Sequence, residues 1–86
     1  MKKATLKMIV SGNCRGRNFA DSIIFTLIPP EGHDYYGNGY YMNVEIDNAI
    51  HYVDCRYART TDIEKLATIW IQDFYGKNAQ VIRKIA

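Results

Sequence analysis

Eighty-six residues allow one domain around a single small core, and a hydrophobic fraction of 48% beside 23% charged residues excludes a disordered chain. Eleven basic residues against nine acidic ones leave +2, far from the strongly basic balance of a dedicated nucleic-acid binder. No apolar run approaches the roughly 20 residues that cross a bilayer, and Met1-Lys2-Lys3 opens onto alternation instead of a signal-like apolar block, so no membrane association is expected and the cytoplasm is the expected compartment.

In chain order, Ala4, Leu6, Met8 and Val10 alternate with Lys3, Thr5, Lys7 and Ile9, a period of two that predicts a half-buried strand over residues 3–11. The run Gly12-Asn13-Cys14-Arg15-Gly16-Arg17-Asn18 is dense in turn residues and reads as a loop. Residues 19–28 form the second strand, with Ile23, Phe25 and Leu27 on one face, stopped by Pro29-Pro30 because proline donates nothing to a ladder. Tyr40, Met42, Val44 and Ile46 mark the third strand, and Asp47-Asn48 tolerates the positive φ of a tight hairpin that returns as a fourth strand over residues 49–59. Thr61-Asp62-Ile63-Glu64 has the spacing of a capping box with Thr61 as the cap, and Gly76 fits a helix end, so a helix is predicted over residues 62–75. Its apolar stripe is Ile63, Leu66, Ala67, Trp70, Ile71 and Phe74, with Ile69 and Tyr75 outside it. A short last strand, residues 79–85, is expected at a sheet edge.

These elements predict an α+β fold of order β-β-β-β-α-β, residues 1–86 forming one domain: an antiparallel sheet of four or five strands with one helix packed on one face. A single helix covers a single face, which leaves the other open to solvent or to a partner.

The chemistry offers few motifs. Gly12 to Gly16 lacks the spacing of a phosphate loop and has no helix behind it. His33-Asp34, alone or with His51 and Asp54, has the residue types of an acid–base or metal site, but histidines in a tyrosine-rich surface read more simply as polar surface, so no catalysis, metal or cofactor is expected. Cys14 and Cys55 are too few for a disulfide framework and read as reduced thiols, Cys14 in a loop beside Arg15. Arg15 and Arg17 flank a glycine on a hairpin tip, where two guanidinium forks can grip phosphate or carboxylate. If the terminal strands are neighbours, Lys2, Lys3, Lys7, Arg83 and Lys84 would join these arginines in one basic edge.

Residues 32–42, GHDYYGNGYYM, hold four of the seven tyrosines. Alternation points Tyr40 and Met42 inward and leaves Tyr35, Tyr36 and Tyr41 to be exposed on the face or rim away from the helix. Tyrosine beside glycine, asparagine and histidine is the composition of binding loops, because tyrosine gives large amphipathic area with few torsions to freeze. The expected contact set is Tyr35, Tyr36, Tyr41, His33, Asn38, Arg15 and Arg17, covered in use by a protein partner or a second copy. The competing reading makes the rings an apolar plug over the open face.

Asp54-Cys55-Arg56-Tyr57, then Thr61-Asp62-Ile63-Glu64-Lys65-Leu66-Ala67 and Phe74-Tyr75-Gly76-Lys77-Asn78-Ala79, resembles the short accessory proteins carried by phages and conjugative elements of Gram-positive bacteria, anti-CRISPR inhibitors among them. The resemblance covers roughly the last third of the chain and implies a non-enzymatic protein that binds and blocks a larger one, a CRISPR nuclease being one such target; it assigns no functional residue. The positive net charge departs from an acidic DNA mimic, so such an inhibitor would act by shape and aromatic contact. The second functional expectation is a nucleic-acid-binding accessory protein that uses the basic loop and an aromatic sheet face.

Overall fold

The alternation of apolar and polar residues builds the sheet directly. In the computed structural model, which describes residues 3–32 and 36–85, the strands are β1 (Ala4–Cys14), β2 (Arg17–Ile28), β3 (Tyr41–Ile46), β4 (Ala49–Asp54) and β5 (Ala79–Lys84). One helix, α1 (Ile63–Tyr75), is followed by a single 3₁₀ turn, Gly76–Asn78. The five strands form one antiparallel sheet in the order β4-β3-β2-β1-β5, so the fold is α+β and the last strand lies at an edge beside the first.

Leu6, Met8 and Val10 of β1 face the same side as Ile23, Phe25 and Leu27 of β2 and Met42, Val44 and Ile46 of β3. The helix packs on that side across β1, β2 and β5, contributing Leu66, Ala67 and Ile71 to the core. Each of these large aliphatic or aromatic side chains contributes roughly 1.5–3 kcal/mol by leaving water.

Several boundaries differ from the sequence reading. The expected loop over residues 12–18 is strand up to Cys14 and again from Arg17, and only Arg15 and Gly16 turn, with φ of 53° and 83°. Asn13 makes the extension possible: its side chain donates to Asn18 Oδ1 across the ladder and accepts from the Gly16 amide. Gly12 sits at a register irregularity against β5, where a Cβ would fall 1.7 Å from the Asn78 carbonyl oxygen, so this glycine serves close approach and not a turn. Cys14 is thereby the exposed last residue of a strand.

β4 stops at Asp54, five residues short of the expected end, because the Asp54 carboxylate accepts from the Arg56 amide and turns the chain. The helix cap is Asp62, whose Oδ1 accepts from the Glu64 and Lys65 amides, while Thr60 Oγ1 accepts from the Asp62 amide; Thr61 caps nothing. Within the predicted apolar stripe, Phe74 is exposed, and Tyr75, placed outside it, is half-buried, stacked on Phe19 with its hydroxyl donating to Asp21 Oδ2 at 2.8 Å. Burial and that hydrogen bond hold the Tyr75 phenol above its ordinary pKa. Trp70 is half-buried, edge-on to Phe25, with Phe74 stacked on its outer side at 4.8 Å. The Asp47-Asn48 turn has the expected positive φ at both residues.

Candidate functional site

Residues opposite one another in the ladder share a face, so the register alone assigns the uncovered side. Across β4, β3, β2 and β1 it carries Tyr52, Asn43, Thr26 and Thr5 in one row and Ile50, Glu45, Ile24 and Lys7 in the next; Ile9 and Arg83 follow on β1 and β5. At one end Asp54, Tyr41 and Ile28 lie side by side. Asn43 Oδ1 is buried on this face with no hydrogen-bond partner among the described residues.

The end of the face beyond Tyr41 is built by two segments that meet. The Asn38 amide donates to the Arg56 carbonyl at 2.8 Å, Asn38 Nδ2 donates to the Ala58 carbonyl, and the Cys55 amide donates to the Tyr40 carbonyl. Gly37 lies so close that a Cβ would fall 2.1 Å from the Arg56 carbonyl oxygen, and its φ is 61°. Those bonds fasten the tyrosine-rich loop to the turn after β4, so Tyr36 is held at the rim.

Arg56 is the centre of this rim. Its Nε and Nη2 donate to the Asp54 carboxylate, the latter at 2.7 Å, and the guanidinium lies 5.5 Å from the Tyr41 ring centroid and 5.7 Å from that of Tyr57. The Arg56 fork holds the Asp54 carboxyl below its ordinary pKa, and Asp54 in turn raises the Arg56 value. Tyr36 and Tyr57 are each 73% exposed and Tyr41 41%. Beside them is a shallow pocket of about 390 Å³ lined by Lys3, Ile28, Pro29, Pro30, Tyr36, Tyr41 and Arg56 among others.

Of the expected contact residues, the fold gathers Tyr36, Asn38 and Tyr41 at this rim and adds Arg56 and Tyr57. Asn38 has a structural task there: besides the bonds above, its Oδ1 accepts from the Tyr40 amide. Tyr40 is half-buried against the core, in keeping with its inward direction. His33 and Tyr35 lie outside the described residues, as does Asp34. Arg15 and Arg17 are at the far tip of the β1–β2 hairpin, roughly 35 Å from Tyr41 at the ordinary strand rise. They do not share a site with the tyrosines.

The expected basic edge is divided too. Lys7 and Arg83 project from the open face, whereas Lys84 faces the helix side and reaches Glu64 Oε2 at 3.5 Å; Lys2 is outside the described residues. His51 also faces the helix side, where its ring sits 6.0 Å from both Trp70 and Phe74, while Asp54 is on the opposite face. Among the described residues no group of three His, Cys, Asp or Glu side chains could hold a metal ion. Cys55 is buried, and burial raises its thiol pKa with help from the Asp54 charge.

By fold and surface this is an α+β domain with one helix-covered sheet face and one open face ending in an aromatic rim. No protein-family model matches the chain, and neither the curated proteins nor the solved structures include a significant match to it. Among the described residues, no helix is long and apolar enough to cross a membrane.

Proposed function

We propose that this chain is a small non-enzymatic binding protein that docks a larger protein against its tyrosine rim and blocks it by occupying that surface. The observation that carries the reading is Tyr41 and Tyr57 held exposed against the Arg56 guanidinium, with Tyr36 exposed on the pocket that Tyr41 and Arg56 also line. Tyrosine and arginine dominate the energetics of protein interfaces, and both are pre-positioned here, which lowers the entropy lost on docking. The adjoining pocket sets the charged groups Lys3, Glu31 and Arg56 beside Ile28, Pro29 and Pro30, and so suits an amphipathic side chain of the partner. The setting proposed is the cytoplasm, with the chain acting as a phage or mobile-element accessory protein on a nuclease, a setting that rests on the sequence resemblance alone.

A second reading, nucleic-acid binding, is favoured by one observation. Lys7 and Arg83 have no ion-pair partner among the described residues and share the open face with Tyr41 and Tyr52. Cations beside stacking rings are how single strands are held.

Affinity capture from host lysate separates the two. A protein retained by the wild type after nuclease treatment, and weakened by tens of fold for the Tyr36→Ala, Tyr41→Ala double variant, is the expected result. Capture that disappears with nuclease, together with oligonucleotide binding whose salt slope falls by about one for each of Lys7→Ala and Arg83→Ala, would replace protein docking with the second reading.

A further inference from the structure

The two edges of the sheet are not equivalent. At the β5 edge the Ile85 amide donates to the Lys7 carbonyl, so by alternation Lys84 and Ile82 point their backbone groups outward. That edge is blunted by Arg83 and Lys84 and by the register irregularity at Ser11 and Gly12. At the β4 edge the Cys55 amide donates to the Tyr40 carbonyl, which makes 40 and 55 a bonded pair. Ile50, Tyr52 and Asp54 therefore aim their N–H and C=O groups away from β3. β4 has no lysine, proline or bulge to discourage pairing, and it exposes Ile50 by 55% and Tyr52 by 79% on the open face.

We propose that β4 is a self-association edge: two copies pair antiparallel through Ala49–Asp54 about a two-fold axis, fusing their sheets into one. The occupant follows from the sequence of the strand itself. Pairing must match outward-directed residues with outward-directed residues, which restricts a symmetric dimer to a few registers. With the axis at His51, Ile50 lies opposite Tyr52 of the second copy, twice by symmetry, and Ala49 lies opposite Val53. With the axis at Tyr52, each Ile50 lies against an Asp54 carboxylate instead. The first register covers both exposed apolar side chains with each other and leaves the Arg56 rim outside the pairing. This inference stands independently of what docks at that rim.

Five paired residues per copy make a small interface, so the association is concentration-dependent. Sedimentation from about 1 μM to about 1 mM should show the 9.9 kDa chain shifting toward a mass twice as large, and Tyr52→Lys should abolish the shift while Val81→Lys at the other edge preserves it. A monomer at every concentration, or a dimer indifferent to Tyr52→Lys, overturns the proposal. The register is tested in a Cys14→Ser background, which removes the exposed native thiol. A non-bonded antiparallel pair brings two Cβ atoms to disulfide distance, so under mild oxidation His51→Cys should cross-link into a dimer and Tyr52→Cys should not. Cross-linking of Tyr52→Cys alone would place the axis elsewhere and reject the register proposed. Circular dichroism of each variant verifies that the fold is retained.

Discussion

At the scale of single residues, Asp54 and Arg56 show how an exposed ion pair acts through orientation. Such a pair is screened by solvent and adds little stability. Its effect is to fix a guanidinium between two tyrosine rings. Because the pKa of Asp54 is lowered by the Arg56 fork, the contact is complete above the ordinary carboxylate pKa of about 4 and is lost as pH falls through the lowered folded value. The Arg56 Nε chemical shift should therefore hold its ion-paired value at neutral pH and move, as pH falls below that range, to the value that Asp54→Asn shows at every pH. An Arg56 Nε shift in Asp54→Asn equal to the wild type's at neutral pH would mean that the rings alone set the guanidinium's surroundings. The arrangement was hidden in the sequence for a definite reason. Arg56 falls inside the expected strand over residues 49–59 but lies past the true end of β4 at Asp54, so alternation misdirects its side chain, whereas Arg15 and Arg17 stand out by their spacing and lie at the opposite end of the sheet.

At the scale of elements, periodicity together with turn and cap residues located the strands and the helix, and local side-chain bonds decided the β1–β2 tip, the end of β4 and the start of α1. The strands β1 and β2 outrun their alternating cores because Asn13 and Asn18 bond across the ladder, a pairing that turn propensity cannot anticipate. The cap moved by one residue, since Asp62 offers a carboxylate to two amides where Thr61 would offer a hydroxyl to one. Asp62→Ala should cost about 1 kcal/mol in chemical denaturation, and Thr61→Ala close to nothing. Equal losses would contradict the cap geometry. Trp70 joins Phe25 in the core to Phe74 at the surface, so Trp70→Ala should cost about 3 kcal/mol, the low end for a large aromatic because one side of the ring is covered only by Phe74. Phe74→Ala should cost distinctly less. The helical stripe predicted the opposite of what Phe74 does, because α1 packs chiefly over β1, β2 and β5 and the Phe74 ring reaches only the edge strand β4, at His51.

For the molecule as a whole, the sheet order was legible only in part. The Asp47-Asn48 turn implies the β3–β4 hairpin, but the twelve residues between β2 and β3 leave their pairing open, and nothing in the pattern of β5 states which edge it joins. The structure puts it beside β1, so the terminal strands are neighbours while the two candidate binding ends are far apart on a body 49 Å long. That order has a kinetic consequence. The hairpins from β1 to β4 close over short stretches of chain, whereas β5 meets β1 only after a loop of more than sixty residues has closed, roughly the separation of Ser11 from Val81. The meander should condense first and β5 dock after the barrier. Val81→Ala, at the edge, should then speed unfolding and leave the folding rate nearly unchanged, while Val10→Ala, buried in β1, should slow folding in stopped-flow experiments. A folding limb slowed by Val81→Ala would show that the last strand belongs to the nucleus and that the chain closes into its sheet before the meander is complete.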